Sequence, residues 1–154
     1  METQIRIEKA EPVPEVLEQL IAMSQDWEAE QSCFGYRRNT EEDILGNEIL
    51  LAYDGEATVG YLFGHPEASK NAHSIMPEGT PVFEIMELYV RPAYRSRGVG
   101  RQLMEACEAE AGETAEYLML STATKNWKAI LHFYVEEAGM EFWSARLFKK
   151  INAK

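Results

Sequence analysis

The segment Arg95-Ser96-Arg97-Gly98-Val99-Gly100 constrains the fold most, because it joins the apolar run Leu88-Tyr89-Val90 directly to an amphipathic helix. Strand, glycine turn and helix in succession place unpartnered helix N–H groups beside the end of a strand. Glycine allows close backbone approach there, and the helix dipole adds partial positive charge. Such an end binds phosphate. Arg95, Arg97 and Arg101 flank the turn and Arg91 lies just upstream, so side-chain charge reinforces the backbone donors. The combination points to a phosphorylated ligand. It is not a Walker A loop, since no Lys-Ser or Lys-Thr follows Gly100. It also lacks the third glycine of a dinucleotide fingerprint, and Ala93-Tyr94 stand where that turn would tighten.

The remaining pattern predicts an α/β chain. Ile5 and Ile7 alternate with polar residues over Gln4–Ala10, a short strand ended by Pro12 and Pro14. Val16, Leu17, Leu20, Ile21, Ser24 and Trp27 follow helical spacing, giving a helix over 14–28. Residues 28–39 read as a loop or broken helix, and Thr40-Glu41-Glu42-Asp43 as the cap of a short helix stopped by Gly46. Asp54-Gly55-Glu56 between Glu48–Tyr53 and Ala57–Gly64 signals a hairpin. His65–Pro81 reads as a long functional connection. Phe83–Val90 is the next strand; its alternation fails at Leu88-Tyr89-Val90, so it is buried on both faces or bulged. Val99, Leu103, Met104, Cys107 and Ala111 mark the helix after the glycine turn. Strand Tyr117–Thr122, helix Asn126–Ala138 and a last strand Glu141–Lys150 around Trp143, Ala145 and Leu147 complete the order β-α-α-β-β-β-α-β-α-β. The length of 154 residues predicts one domain over 1–154.

Charge is uneven. Residues 1–80 carry 16 acidic and 5 basic side chains, while residues 81–154 carry 10 of each. An acidic surface is a poor match for nucleic acid and a better one for a cationic substrate, although such a surface also serves solubility alone. No apolar run is long enough to span a bilayer, and the charged start from Glu2 lacks a signal-peptide pattern, so the expected location is the cytosol, away from membranes. Cys33 and Cys107 are far apart and form no metal or redox motif, so no metal is expected. Cys107 falls on an apolar helix face as a packed thiol; Cys33 is a candidate for a reactive surface thiol.

Two blocks resemble one family. Arg95-Ser96-Arg97-Gly98-Val99-Gly100 is similar to the (Gln/Arg)-x-x-Gly-x-(Gly/Ala) signature of the GNAT superfamily of acetyl-CoA-dependent N-acetyltransferases, with Glu87–Tyr94 as its lead-in strand. Asn126-Trp127-Lys128-Ala129, Phe133-Tyr134 and Gly139 resemble the second conserved block, with Met140-Glu141-Phe142 where Gly-Phe is usual. The resemblance covers residues 82–142, and topology alone extends it over 1–81. It implies a mixed, mostly antiparallel central sheet flanked by helices, and acetyl-CoA as co-substrate.

Carried onto this sequence, the resemblance assigns Arg95, Ser96, Arg97, Gly98, Val99 and Gly100, with Arg101, to the coenzyme A pyrophosphate. Leu88, Tyr89 and Val90 would pair by backbone with the pantetheine arm where two parallel strands splay. Asn126 would hydrogen-bond that arm; a helix cap explains an Asn there equally well. Tyr134 matches the tyrosine that meets the leaving sulfur. A phenol near ~10 against a thiol near ~8.5 makes full proton donation uphill by about 2 kcal/mol, so Tyr134 mainly hydrogen-bonds the developing thiolate.

The expected reaction is direct attack of a primary amine on the thioester, which requires a proton acceptor because alkyl ammonium groups have pKa near ~10.4. Glu84 and Glu87 on the lead-in strand are the candidates. In a regular strand they face opposite sides, and Glu84 is favoured because it shares the parity of Leu88 and Val90; a bulge between them would change this. The amine would meet Trp27, Glu28, Glu30, Phe34 and Tyr36 and the segment 65–81, a set of acids and aromatics suited to a cationic small molecule of the aminoglycoside or polyamine type, or to a protein amine. The same aromatics equally suit a homodimer contact. The alternatives are a non-catalytic acyl-CoA sensor or partner-binding module, and an acyltransferase with another donor or acceptor.

Overall fold

The computed structural model describes residues 4–151. Five strands form one sheet in the order β1-β2-β3-β4-β5: Ile5–Ala10, Glu48–Asp54, Ala57–Ala68, Pro81–Val90 and Tyr117–Met119. The first three pairings are antiparallel and β4–β5 is parallel, a mixed, mostly antiparallel sheet as the resemblance implied. Helix α1 (Pro14–Glu30) and the short α2 (Glu41–Ile44) cover one face, and α3 (Val99–Ala111) covers the other. A second helical stretch, α4 (Trp127–Leu131), runs into a π-helical turn over His132–Glu137.

Two apolar clusters sit on opposite faces of the sheet. Leu17, Leu20 and Met23 of α1 pack with Ile49, Leu51, Tyr61, Phe63 and Tyr89. Val99, Leu103, Met104 and Cys107 of α3 pack with Leu50, Ala52, Leu62, Phe83 and Ile85. The helix positions recur every three or four residues and the strand positions alternate, so each period aims one face inward. Cys107 is buried as expected, and burial pushes its thiol up to about 12. The Thr40 cap forms a capping box with Asp43, which accepts from the Thr40 N–H at 2.8 Å.

Several bounds differ from the expected ones. α1 runs on to Glu30 rather than 28, and β5 stops at Met119 rather than Thr122. β3 runs on to Ala68, so the connection shortens to 69–80; Ser69 and Thr80 close it by backbone bonds, and Ala72 and Met76 fold under it against Val82. The helix expected over 126–138 is α-helical only to Leu131, because hydrophobic spacing does not separate 3.6 residues per turn from the wider π turn that follows. Residues 141–150 form no ladder: Leu147 is 90% and Phe148 82% exposed. Alternation defines two unlike faces of a strand but supplies no partner edge, and the outer edge strand, β5, is only three residues long.

Candidate active site

β4 carries the expected bulge. Phe63 pairs with Glu87 and Gly64 with Ile85, leaving Met86 as the extra residue. Gly64 makes this possible: a Cβ there would run into the Glu84 carbonyl oxygen and lie 2.8 Å from the Phe83 ring. The bulge resets the parity of the strand. Phe83, Ile85, Leu88 and Val90 all pack toward α3, while Tyr89 packs toward α1. Glu84, between Phe83 and Ile85, therefore shares the α1 face with Glu87 and Tyr89. The parity that favoured Glu84 over Glu87 is corrected by this bulge: both glutamates face the same side, opposite Leu88 and Val90.

Their surroundings differ. Glu84 forms the last rung of the β4–β5 ladder, opposite Met119, with His65 across the strand pair. Burial and the nearby Glu67 raise its pKa. Glu87 lies beyond the last rung of that ladder, where β4 and β5 have parted. Its Oε1 accepts from Tyr61 at 2.7 Å, from the Asn39 amide at 2.9 Å and from Tyr36 at 3.0 Å. Burial holds the Glu87 carboxyl above the usual range against those three donors, which pull it down.

Tyr36 stacks on Trp27 at 4.2 Å between centroids, and Trp27 on Tyr89 at 5.4 Å. Trp27, Glu28, Gln31, Ser32, Cys33, Tyr36 and Lys125 line a cavity of about 220 Å³. The loop after α1 is tied across to the loop after β5: the Phe34 N–H donates to Ala123 and the Lys125 N–H to Ser32. Phe34 itself is exposed, against Phe148 and Lys125. Glu28, in the cavity wall, is engaged by Arg38 at 2.7 Å. Glu30 accepts from the Tyr89 hydroxyl at 2.8 Å and from Arg95.

The glycine turn has the shape of an anion nest. Ser96 and Gly98 both have positive φ, 61° and 82°, and Gly98 is the N-cap of α3 with no side chain capping the helix. Arg97 lies over the Tyr94 ring, and Arg101 stands 3.8 Å from Glu105. Arg95 is turned away: its guanidinium bonds the Val90 carbonyl and Glu30. Arg91 is likewise pinned to the Thr58 carbonyl and Asp26. The arginines that sequence alone places around the phosphate thus split into two structural struts and two cations at the turn.

The acetyltransferase (GNAT) family model matches residues 14–140. This chain belongs to that family. No curated protein matches it. Among solved structures, it is similar to an aminoglycoside acetyltransferase from an uncultured soil metagenomic sample in complex with trehalose, at 18% identity and a TM-score of 0.69, covering 96% of this chain and 97% of that one. It is also similar to a transcriptional regulator from Bacillus halodurans C-125, at 22% identity and a TM-score of 0.68, covering 96% and 100%. A third is the aminoglycoside N-acetyltransferase AAC(6')-Iy in complex with CoA, at 16% identity and a TM-score of 0.67, covering 97% and 96%.

GNAT acetyltransferases use acetyl-CoA as co-substrate. The features of this GNAT chain fit that group: an uncapped α3 N-terminus with its nest, and a β4 edge left open beyond Glu84. Asn126 is the N-cap of α4, yet its side chain makes no cap bond, so the amide is left for another partner. Tyr134 sits in the π turn beside Phe133, whose ring closes on Gly100, where a Cβ would come within 3.1 Å. Burial, with Cys33 nearby, pushes the Tyr134 phenol up to about 12. Among the described residues, no group of three or more His, Cys, Asp and Glu side chains could hold a metal ion. No helix of the described residues is long and apolar enough to cross a membrane.

Sequence reasoning missed Asn39 and Tyr61. Asn39 reads as the residue before a helix cap, and Tyr61 as one more core position of a strand. Only the pairing of Tyr61 with Tyr89, one alternation along from Glu87, and the return of the loop over the sheet bring them to the carboxylate. No local signal carries that information.

Proposed function

We propose that this GNAT chain transfers acetyl from acetyl-CoA to a primary amine by direct attack, with Glu87 taking the amine proton. The observation that carries this reading is a half-buried carboxylate, held by three donors on one oxygen, just where β4 leaves its parallel neighbour. The α3 N-terminus from Gly98 to Arg101, with Arg97, would hold the pyrophosphate. The edge of Leu88-Tyr89-Val90 beyond the β4–β5 ladder, where the Val90 carbonyl accepts from Arg95, and the Asn126 amide would hold the pantetheine. Acetyl-CoA supplies the activated acetyl group.

An ammonium near pKa ~10.4 gives its proton to an ordinary carboxylate only uphill. Burial narrows the gap from both sides, raising the acid and lowering the ammonium. The freed amine attacks the acetyl carbon, the carbon–sulfur bond breaks, the sulfur leaves as thiolate beside Tyr134, and the second proton that the nitrogen sheds on becoming an amide passes by way of solvent to that thiolate. With its phenol near 12, Tyr134 is a poor acid, some 5 kcal/mol uphill of a thiol. Its part is to donate a hydrogen bond to charge as it develops. Tyr134→Phe is expected to lower kcat by about 10²-fold with the KM for acetyl-CoA nearly unchanged, read from steady-state kinetics.

The acidic N-terminal half, the Trp27–Tyr36 stack and the aminoglycoside acetyltransferases among the similar structures support a cationic small molecule as acceptor. Free-thiol release from acetyl-CoA with a panel of aminoglycosides, polyamines and amino-acid amines tests this. Amine-dependent release that saturates with the polycations supports it; acetyl-CoA binding without release for any amine favours a sensor. Gly98→Ala, forced to hold φ near 82°, is expected to cost about 1 kcal/mol of stability and to raise the KM for acetyl-CoA several-fold, measured by thermal melting and kinetics.

A further inference from the structure

We propose that Tyr36 and Asn39, together with Tyr61, are positioning residues that fix the Glu87 carboxylate by Oε1 and reserve Oε2 for the amine proton. The proposal rests on the reading of Glu87 as proton acceptor. All three bonds fall on the same oxygen, at 3.0, 2.9 and 2.7 Å. A carboxylate oxygen has two lone pairs, so three donors saturate Oε1 and an incoming proton lands on Oε2. A carboxylate so held cannot rotate to present its other oxygen without breaking all three bonds.

The three donors have different origins. Tyr61 comes from β3, inside the sheet, and is fully buried. Tyr36 and Asn39 come from the loop after α1, the one tied through Ser32 and Phe34 to the loop after β5. Asn39 is itself set by its N–H, which donates to the Ser24 hydroxyl of α1 at 2.9 Å. Tyr36 is set by its stack on Trp27, the residue that lines the cavity beside it. The acceptor-side loop therefore does two things at once: it walls the cavity and it orients the base. The charged and titratable groups that act on Glu87 are Tyr36 from this loop, Tyr61 from β3 and Asp43 from α2. The three hydrogen bonds favour the carboxylate form, while Asp43 opposes it.

The sign follows. Removing a donor makes the carboxylate harder to keep, so the acid limb of kcat/KM for the amine moves to higher pH. For Tyr36→Phe, which keeps the ring on Trp27, the expected shift is about one pH unit upward. Asn39→Leu is expected to move it the same way. In both, activity on the alkaline plateau stays well above that of Glu87→Gln, because the base is still present. A lowered plateau with an unmoved limb in Tyr36→Phe would overturn the positioning role, and does so even if Asn39→Leu fails to fold. Glu87→Gln, profiled alongside, separates the two levels. If it keeps both the parent rate and the limb, Glu87 is not the proton acceptor and the positioning role falls with it. If it loses the rate while Tyr36→Phe leaves the limb in place, the base stands and only the positioning role falls.

Discussion

Replacing Glu87 by glutamine is expected to lower kcat for amine acetylation by at least about 10²-fold, the usual worth of a positioned general base. The substitution is nearly isosteric. The glutamine carbonyl oxygen can still accept from Tyr36, Tyr61 and Asn39, so the loop and the sheet stay as they are. Stability should not fall. The folded pKa of Glu87 lies above its ordinary value, so the ionised carboxylate costs stability at neutral pH, and that cost vanishes only as the pH falls through the folded pKa toward the unfolded one. A neutral amide removes the cost, and the melting temperature at pH 7 should be unchanged or higher. Glu84→Gln, on the last paired rung beside His65 and Glu67, should change kcat by less than about threefold. Steady-state rates and melts of both variants test the assignment together. The reverse ranking would make Glu84 the base.

The largest stability effect is expected at Gly64. An alanine Cβ there would collide with the Glu84 carbonyl, the Phe83 ring at 2.8 Å and the Ile85 Cα at 3.0 Å. Two of these three are backbone, so no rotamer change relieves them. Gly64→Ala is expected to cost about 3 kcal/mol, at the upper end of overpacking costs, and to lower the melting temperature by about 10 °C. The change reaches function too. Gly64 faces the bulge at Met86, and a strand that loses its extra residue turns its side chains to the other face beyond that point. Activity measured well below the new midpoint should therefore drop further than the folded fraction explains. A melt within a degree or two of the parent would show that the β3–β4 pair accommodates a side chain at this position.

The two conserved-looking blocks were legible because their information is local. The glycine turn heading α3, the strand before it and the helical start at Asn126 all follow from short stretches of sequence. The hairpin at Asp54-Gly55 and the capped α2 are of the same kind. The bulge was readable as an irregularity, since three apolar residues in a row break alternation. Its position was not, because the extra residue is fixed by the register with β3 and by the space at Gly64. That single residue decides which face Glu84 takes. The arginines show the same limit. Composition counts four cations near the turn, but Arg91 and Arg95 are committed to Asp26 and Glu30 of α1, a contact between residues 65 apart. The tail at 141–150 has strand-like alternation and no ladder, since pairing belongs to two segments and pattern to one.

Direct attack is tested most directly by initial rates over a grid of acetyl-CoA and amine concentrations, joined to mass measurement of the protein after acetyl-CoA alone. Direct attack predicts double-reciprocal lines that intersect and a protein that gains no acetyl group without the amine. Parallel lines, with a stable acetyl group on the protein, would contradict it and move the chemistry to a nucleophile of the chain, with Cys33 in the cavity wall as the first residue to examine.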